Sequence, residues 1–600
     1  MQRVWRICVQ PTTFDHTQTA DCIWINVLVT IAGAVSTYNA MRCLSHWLQL
    51  PALLLLGGAV GCTGSLDGSS GAPAAQAGTG TGGSSGTGGG SPIGGASPAQ
   101  CAQASASAPV LHARLLTPSQ YEHAVEDLLK VNDHPAKEFG GGVAARLDEV
   151  AVERRANAAA AIASKAATTL SAWSPCMPPA VDAATCETQL IDKLGLAAFR
   201  HPLAPTEQAQ LKKLFDAGVA EKDFATGVEW LLTGLLQAPD FLYQFAKPRA
   251  GEVAGQVVPL EPYELASRLA FFVWDTTPDD TLFAAAGAGK LADEAGLRAE
   301  MTRLMGDARF GRGTASFYGD WLGLKGFKEV ARDDAALNSD LITSLESSLL
   351  MSATALYANP SPNIQSLFSG QSYYLTDKLR AFYGLTGGSA NLEAVELPNE
   401  GRRGILTHPA LMMLLARPNA SNPIARGLFV QRQLLCNEIP PPPQGVVIPQ
   451  LPPIMPGLST RARLEQHTTE ALCKGCHDHI DPPGFALESF DAVGRFRTMD
   501  AGLPVDTSGN MVSGSDTDGA FANGGELLDR LGKSSDMKRC FAKRYLTFAV
   551  SRDLANEDSC SLTRVADDFN QSGDLKQLVV AVAASDAFRL RATEAPGAQP

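Results

Sequence analysis

Six hundred residues exceed what one hydrophobic core fills, so several packed modules or about two to four domains are expected. A formal charge of −13 with no Lys/Arg block argues against phosphate-backbone binding, and nucleic acid is not an expected partner. Hydrophobic residues make up an ordinary globular 45%, but the 56 Gly and 37 Pro are unevenly spread, which marks where the chain does not pack.

Near the start, Ile23–Val35 and Leu48–Ala59 are apolar but shorter than the ~20 residues that a spanning helix needs. The second follows Met41-Arg42 and ends in Ala59-Val60-Gly61-Cys62. A short basic start, an apolar run and small residues before a cysteine have the anatomy of a secretory signal. They resemble the lipobox of bacterial lipoproteins, in which the cysteine (here Cys62) is acylated and becomes the mature N-terminus. Residues 1–61 then read as upstream and signal sequence, with translation starting at Met41; the alternative is an uncleaved membrane anchor. Residues 62–104 read as a lipid-anchored Gly/Ser-rich linker. Such a chain cannot offset its ordering entropy by burial and should form a tether reaching ~35 Å. The expected place is the cell envelope, with the membrane as partner through the anchor.

The body, 105–595, reads as mostly α. Thr117-Pro118-Ser119-Gln120 is a capping box with Pro at the first helical position, and Tyr121, Val125, Leu128 and Leu129 follow at helical spacing. Residues 150–172 are Ala-rich and suit a helix. Phe224, Val228, Leu231, Leu232 and Leu235 form an apolar stripe stopped by Pro239; Leu265, Leu269 and Phe272 form the next, and Thr277-Pro278-Asp279-Asp280 opens another helix. The proline run at 440–456 cannot be helical and should run extended. Eight cysteines follow Cys62: Cys101, Cys176, Cys186, Cys436, Cys473, Cys476, Cys540 and Cys560. Export and close spacing predict disulfides within Cys176/Cys186 and Cys540/Cys560.

These segments together resemble bacterial proteins built from planctomycete-specific domains of unknown function plus a planctomycete cytochrome-c-like domain. LTPSQYEHAVEDLL (116–129) resembles the first module and AAFRHPLAPTEQAQL (197–211) the second. YELASRLAFFVWDTTPDDTL (263–282) resembles the third. GRRGILTHPALMM (401–413), NPIARGLFVQRQLLCNEIPPPP (422–443) and CKGCHDHIDPPGFALESFDAVGRFR (473–497) resemble the cytochrome-like module, and 526–552 through 585–591 the last. The resemblance implies helical modules at 105–175, 176–250, 255–390, 400–510 and 515–595, and it implies no particular activity. Ala204 stands where a capping Thr or Ser is usual, a loss of ~1 kcal/mol of helix stability. Pro483 replaces a common aliphatic and stiffens its loop.

Cys473-Lys474-Gly475-Cys476-His477 carries the chemistry. Covalent haem attachment needs two thiols for the vinyl groups and an adjacent histidine for the iron, and Cys-x-x-Cys-His supplies them. Cys473 and Cys476 would form the thioethers of haem c and His477 would ligate the metal. The spacing equally permits a Cys473–Cys476 disulfide, exchange with Cys436, or a zinc site of Cys436, Cys473, Cys476 and His467 or His477. Met499 is the first choice for a sixth ligand, ahead of Met511, Met537, His408 and His467; His479 is too near His477 to reach the opposite face. Asp481-Pro482 reads as a turn or cap, and Phe485, Phe490, Val493 and Phe496 as one helix face. Glu488, Asp491, Arg495 and Arg497 read as a salt-bridged surface, with Arg495 or Arg497 on haem propionates as the rival reading. His408 reads as a helix-start residue. There is no phosphate-binding glycine loop, Gly-x-Ser-x-Gly or His-Glu-x-x-His. The function expected is an exported lipoprotein with a single c-type haem, in electron transfer with an unidentified redox partner or in haem-based redox chemistry. The rival is a surface-binding or structural lipoprotein whose cysteines are disulfides or a zinc site.

Overall fold

The computed structural model describes residues 97–594, apart from 104–105, 135, 137–138, 140–147, 250, 398–400, 443–450 and 469–470. It also describes two short paired strands, Gln2–Arg6 and Asn26–Thr30. Cys62, the signal-like stretch and the Gly/Ser run as far as 96 lie outside the described residues. The body is mostly α, and among the described residues its strands form only two-stranded ladders. Among the described residues no helix is long and apolar enough to cross a membrane.

Local chemistry starts the helices where the chain signals it. The Thr117 hydroxyl accepts from Gln120 N at 3.2 Å, and the Gln120 side chain accepts from Thr117 N at 3.2 Å, opening Pro118–Leu129. The Ala-rich stretch is the helix Glu149–Thr168 with a short 3-10 turn after it. Ala204 caps Pro205–Glu221 without a side-chain bond, and Glu207 alone reaches back to Ala204 N at 2.8 Å. Asp279, not Thr277, caps Asp280–Gly287, because its carboxylate accepts from Leu282 N at 2.8 Å while Thr277 is buried.

The expected modules merge when they pack. Leu115, Tyr121, Val125, Ile162, Leu190, Leu211, Leu231 and Phe241 share one hydrophobic core, so the first two modules fold as one body. Helices Pro205–Glu221 and Phe224–Leu235 cross closely enough that a Cβ on Gly218 would stand 2.5 Å from Thr226 O. A second core runs from Leu260 to Phe588, spanning the third, fourth and last modules. Its centre is aromatic: Phe317 and Trp321 from helix Phe310–Trp321 meet Phe541 and Tyr545 from helix Ser535–Val550 at 4.1 to 5.5 Å between ring centres. Val257–Pro259 pairs antiparallel with Leu590–Ala592, so the end of the chain closes over the start of this core.

Three disulfides staple the body: Cys101–Cys560, Cys176–Cys186 and Cys436–Cys540. The expected Cys540–Cys560 pair is corrected. Cys540 lies ten residues before the end of Ser535–Val550, about 15 Å along the axis at about 1.5 Å per residue. Cys560 opens the neighbouring helix Ser559–Ser572. Two cysteines at opposite ends of packed helices exceed the ~7 Å Cα limit for a bond. Cys540 instead meets Cys436 beyond the segment Val430–Leu434, and Cys560 meets the helix Pro98–Gln103, which ends the tether before its expected limit at 104.

Candidate functional site

The Cys-x-x-Cys-His residues lie on the helix Ala471–Phe485. Glycines bring this helix against Pro423–Phe429: a Cβ on Gly427 would stand 1.8 Å from Ile480 O, and one on Gly484 2.0 Å from Pro423 O. Pro482 and Pro483 fall inside the last turn, so Asp481-Pro482 is helix rather than the expected turn. Pro483 has no N–H to give the carbonyl four residues earlier, that of His479. The buried Gln431 supplies the missing donor, with its Nε2 2.7 Å from His479 O, and Asn437 Nδ2 donates to Gln431 Oε1 at 2.8 Å. A side chain from the neighbouring segment thus restores the bond that proline removed.

Cys473 and Cys476 are free thiols, both half-buried and one turn apart. His477 follows on the same side. Its Nδ1 is 2.8 Å from Asp481 Oδ1, with the two side chains 16% and 9% exposed. A carboxylate acceptor places the proton on Nδ1 and leaves the lone pair on Nε2, the arrangement a metal-ligating imidazole needs. Asp481 was missed in the sequence as a partner, although its position four residues after His477 was a usable signal.

The other candidates scatter. Met499 stands on Met499–Asp500, a strand paired with Leu503–Pro504, and is 51% exposed. The strand seen to pack on the motif helix is Gly509–Met511, where Met511 is buried and the carbonyl of Val512 accepts from His479 Nδ1. Met537 is buried in the second core. His408 caps Pro409–Leu414: its Nδ1 accepts from Ala410 N at 3.2 Å, so its Nε2 donates to Ser348 Oγ at 3.1 Å. Burial pushes it down to about 3, and it is neutral. The side chain of His467 lies outside the described residues. The Cys436–Cys540 bond takes Cys436 away from any zinc set.

Two further readings are corrected. Residues 486–497 turn rather than continue a helix, with Phe490 bridged to Phe496, although Phe485, Phe490 and Val493 are buried as expected. Glu488 is not surface but 4% exposed, held at 2.7 Å by a fully buried Arg426 and at 2.9 Å by Arg497. Arg497 also pairs with Asp500 at 2.8 Å, and Arg495 with Asp334 at 2.5 Å, so both guanidinium groups are already committed to protein carboxylates. Elsewhere His201, Glu207 and Asp240 converge as metal ligands could, but the Lys247 ammonium stands among them, 2.8 Å from Asp240 and 3.2 Å from His201 Nε2.

Segment 402–500, which contains the motif helix, matches a family described as a protein of unknown function, DUF1588 or PSCyt3. Residues 186–245 match DUF1595, 260–385 match DUF1592 and 518–588 match DUF1585, each again described as of unknown function. The chain carries all four domains. No curated protein and no solved structure matches it. These planctomycete-type domains therefore establish its composition but not its chemistry.

Proposed function

We propose that the chain is an exported envelope protein, lipid-anchored at Cys62, whose motif helix carries one covalently attached haem c for electron transfer or haem-based redox chemistry. One observation supports this above the rest. Of the eight cysteines after Cys62, six are bonded, and the two left as thiols are Cys473 and Cys476, beside a histidine whose Nδ1 is held by Asp481. The residues present fit the group: Cys473 and Cys476 would be its thioether anchors and His477 Nε2 its proximal ligand. Bound there, it would supply one-electron chemistry. Asp481 keeps the imidazole in one tautomer. Gln431 and the glycine contacts hold the helix that presents all three. A single motif makes no internal relay, so an external redox partner is part of the proposal.

The test is protein exported with a working c-type maturation system. Haem should remain after denaturation and solvent extraction, Cys473→Ser with Cys476→Ser should abolish that retention, and His477→Ala should change the spectrum. Wild-type protein without haem and with Cys473 bonded to Cys476 would overturn the proposal and leave the cysteines as staples of a surface-binding or structural lipoprotein. Mass spectrometry of the mature N-terminus should find an acylated Cys62; retention of residues 1–40 would remove the anchor.

A further inference from the structure

Between the two hydrophobic cores lies a cavity of about 970 Å³, at the upper end of what small-molecule sites occupy. The ladder of Arg114–Leu115 with Tyr243–Gln244 lines one part of its wall and helix Pro262–Trp274 another. Its deep carboxylates all have partners. Asp275 faces His123 Nδ1 at 3.1 Å and accepts from Ser316 Oγ at 2.9 Å. Asp240 takes Lys247 at 2.8 Å, and Glu264 accepts from the backbone N–H groups of Lys247 and Glu261 at 2.7 and 3.0 Å. Two of the arginines are also committed: Arg200 to the carbonyls of Ala198, Asp240, Phe241 and Tyr243, and Arg552 to Asp558.

Arg114 and Arg268 differ. Arg268 lies over the Phe588 ring at 4.9 Å, and its Nη1 is buried with no acceptor. Arg114 makes no side-chain hydrogen bond among the described residues; it feels the charge of Asp275 but is not bonded to it. Gln244 Nε2, like Arg268 Nη1, is a buried donor without a partner, while Arg114 is half-buried. The register sets Arg114 directly opposite Gln244, so the two side chains leave the ladder on one face. Burial and the repulsion of Arg552 and Arg114 lower the Arg268 guanidinium to about 9, and burial lowers Arg114 to about 10; both stay charged at neutral pH. Two buried unmatched donors, Arg268 Nη1 and Gln244 Nε2, and the half-buried Arg114 guanidinium line one aromatic-walled space, and unmatched buried donors are rare in folded proteins.

We propose that this cavity binds a small organic carboxylate, with Arg114, Gln244 and Arg268 on its oxygens and Tyr263, Phe271 and Phe548 against its body. A planar carboxylate matches the guanidinium fork. The aromatic lining favours an acid with an apolar or ring body over inorganic phosphate, whose charge would find little solvation there. The reading does not depend on the haem proposal.

The test uses the full chain and four probes in thermal-shift and calorimetric titrations: benzoate, galacturonate, inorganic phosphate, and benzamide as a neutral mimic. At least one carboxylate should bind saturably and raise the Tm, while benzamide should not. Arg268→Gln and Arg114→Gln should each weaken that binding at least tenfold, and His477→Ala should leave it unchanged. Without ligand, Arg268→Gln should melt no lower than wild type, because it removes a repelled, unmatched charge; if it fails to fold, Arg114→Gln carries the binding test. The proposal fails if neither carboxylate binds, if benzamide or phosphate binds as well, or if both folded variants keep wild-type affinity.

Discussion

Replacing Glu488 by Gln removes the charge that accompanies Arg426 in the interior of the DUF1588 segment. Arg426 is fully buried, and burial lowers its pKa from the ordinary arginine value. Its guanidinium donates to Glu488 Oε1 at 2.7 Å and to the carbonyls of Leu487, Phe490 and Asp491 at 2.8 to 3.0 Å. The second Glu488 oxygen accepts from Ser421 Oγ at 2.6 Å and Arg497 Nη2 at 2.9 Å. In Glu488→Gln an amide N–H must face donors on one side or the other, and Arg426 is left with dipoles only. Breaking a buried pair from one side costs about 3–5 kcal/mol. The three carbonyls still solvate the guanidinium, so the expected loss is about 3 kcal/mol, at the low end of that range. Urea unfolding of the full chain measures it, and hydrogen exchange over 421–497 should locate it. The double variant with Arg426→Met should recover part of the loss, giving a coupling of about 2 kcal/mol. A single-variant loss below about 1 kcal/mol would show that the carbonyls alone satisfy Arg426, and the reasoning would be wrong.

His408 provides an acid test. Its folded pKa of about 3 lies below the unfolded ~6.5, so as pH falls the unfolded chain takes the proton first. Its contribution is complete above about pH 6.5 and is lost towards pH 3, at about 1.4 kcal/mol per unit. His408→Asn keeps a helix cap without the titration, so its stability should fall less steeply than that of wild type between about pH 6 and 4; parallel curves count against the assignment. Gly427→Ala places a methyl 1.8 Å from Ile480 O, a backbone atom that cannot rotate away. It should cost at least about 1–3 kcal/mol in urea melts; a loss within about 0.5 kcal/mol would mean that the helices are free to separate. Removing Cys101–Cys560 by paired serine substitutions should cost about 2–5 kcal/mol and expose residues 97–109 to limited proteolysis. Equal resistance of that segment with and without the bond would show that its other contacts hold it.

What the sequence determined by itself was local. The Thr117–Gln120 capping box, the uncapped start at Ala204, the Cys176–Cys186 staple and the spacing of Cys473, Cys476 and His477 all involve residues within about ten positions. There the chain's own connectivity keeps the partners close. The motif signals carried less where backbone and side chain traded roles. Asp481-Pro482 read as a turn, yet the helix runs on through Pro483, whose missing donor to His479 O comes from Gln431, about fifty residues away. Tertiary packing alone decided the rest. It sent Cys540 and Cys560 to partners 104 and 459 positions away, because their own helices hold them apart. It buried Glu488 by setting Arg426 against it, turning an apparent surface charge into an interior one. It fused five apparent modules onto two cores, because the apolar faces of adjacent helices do not stop where sequence modules do. It also placed Arg114, Gln244 and Arg268 around one space. No periodicity connects those residues, since the cavity they share exists only where two folded bodies meet.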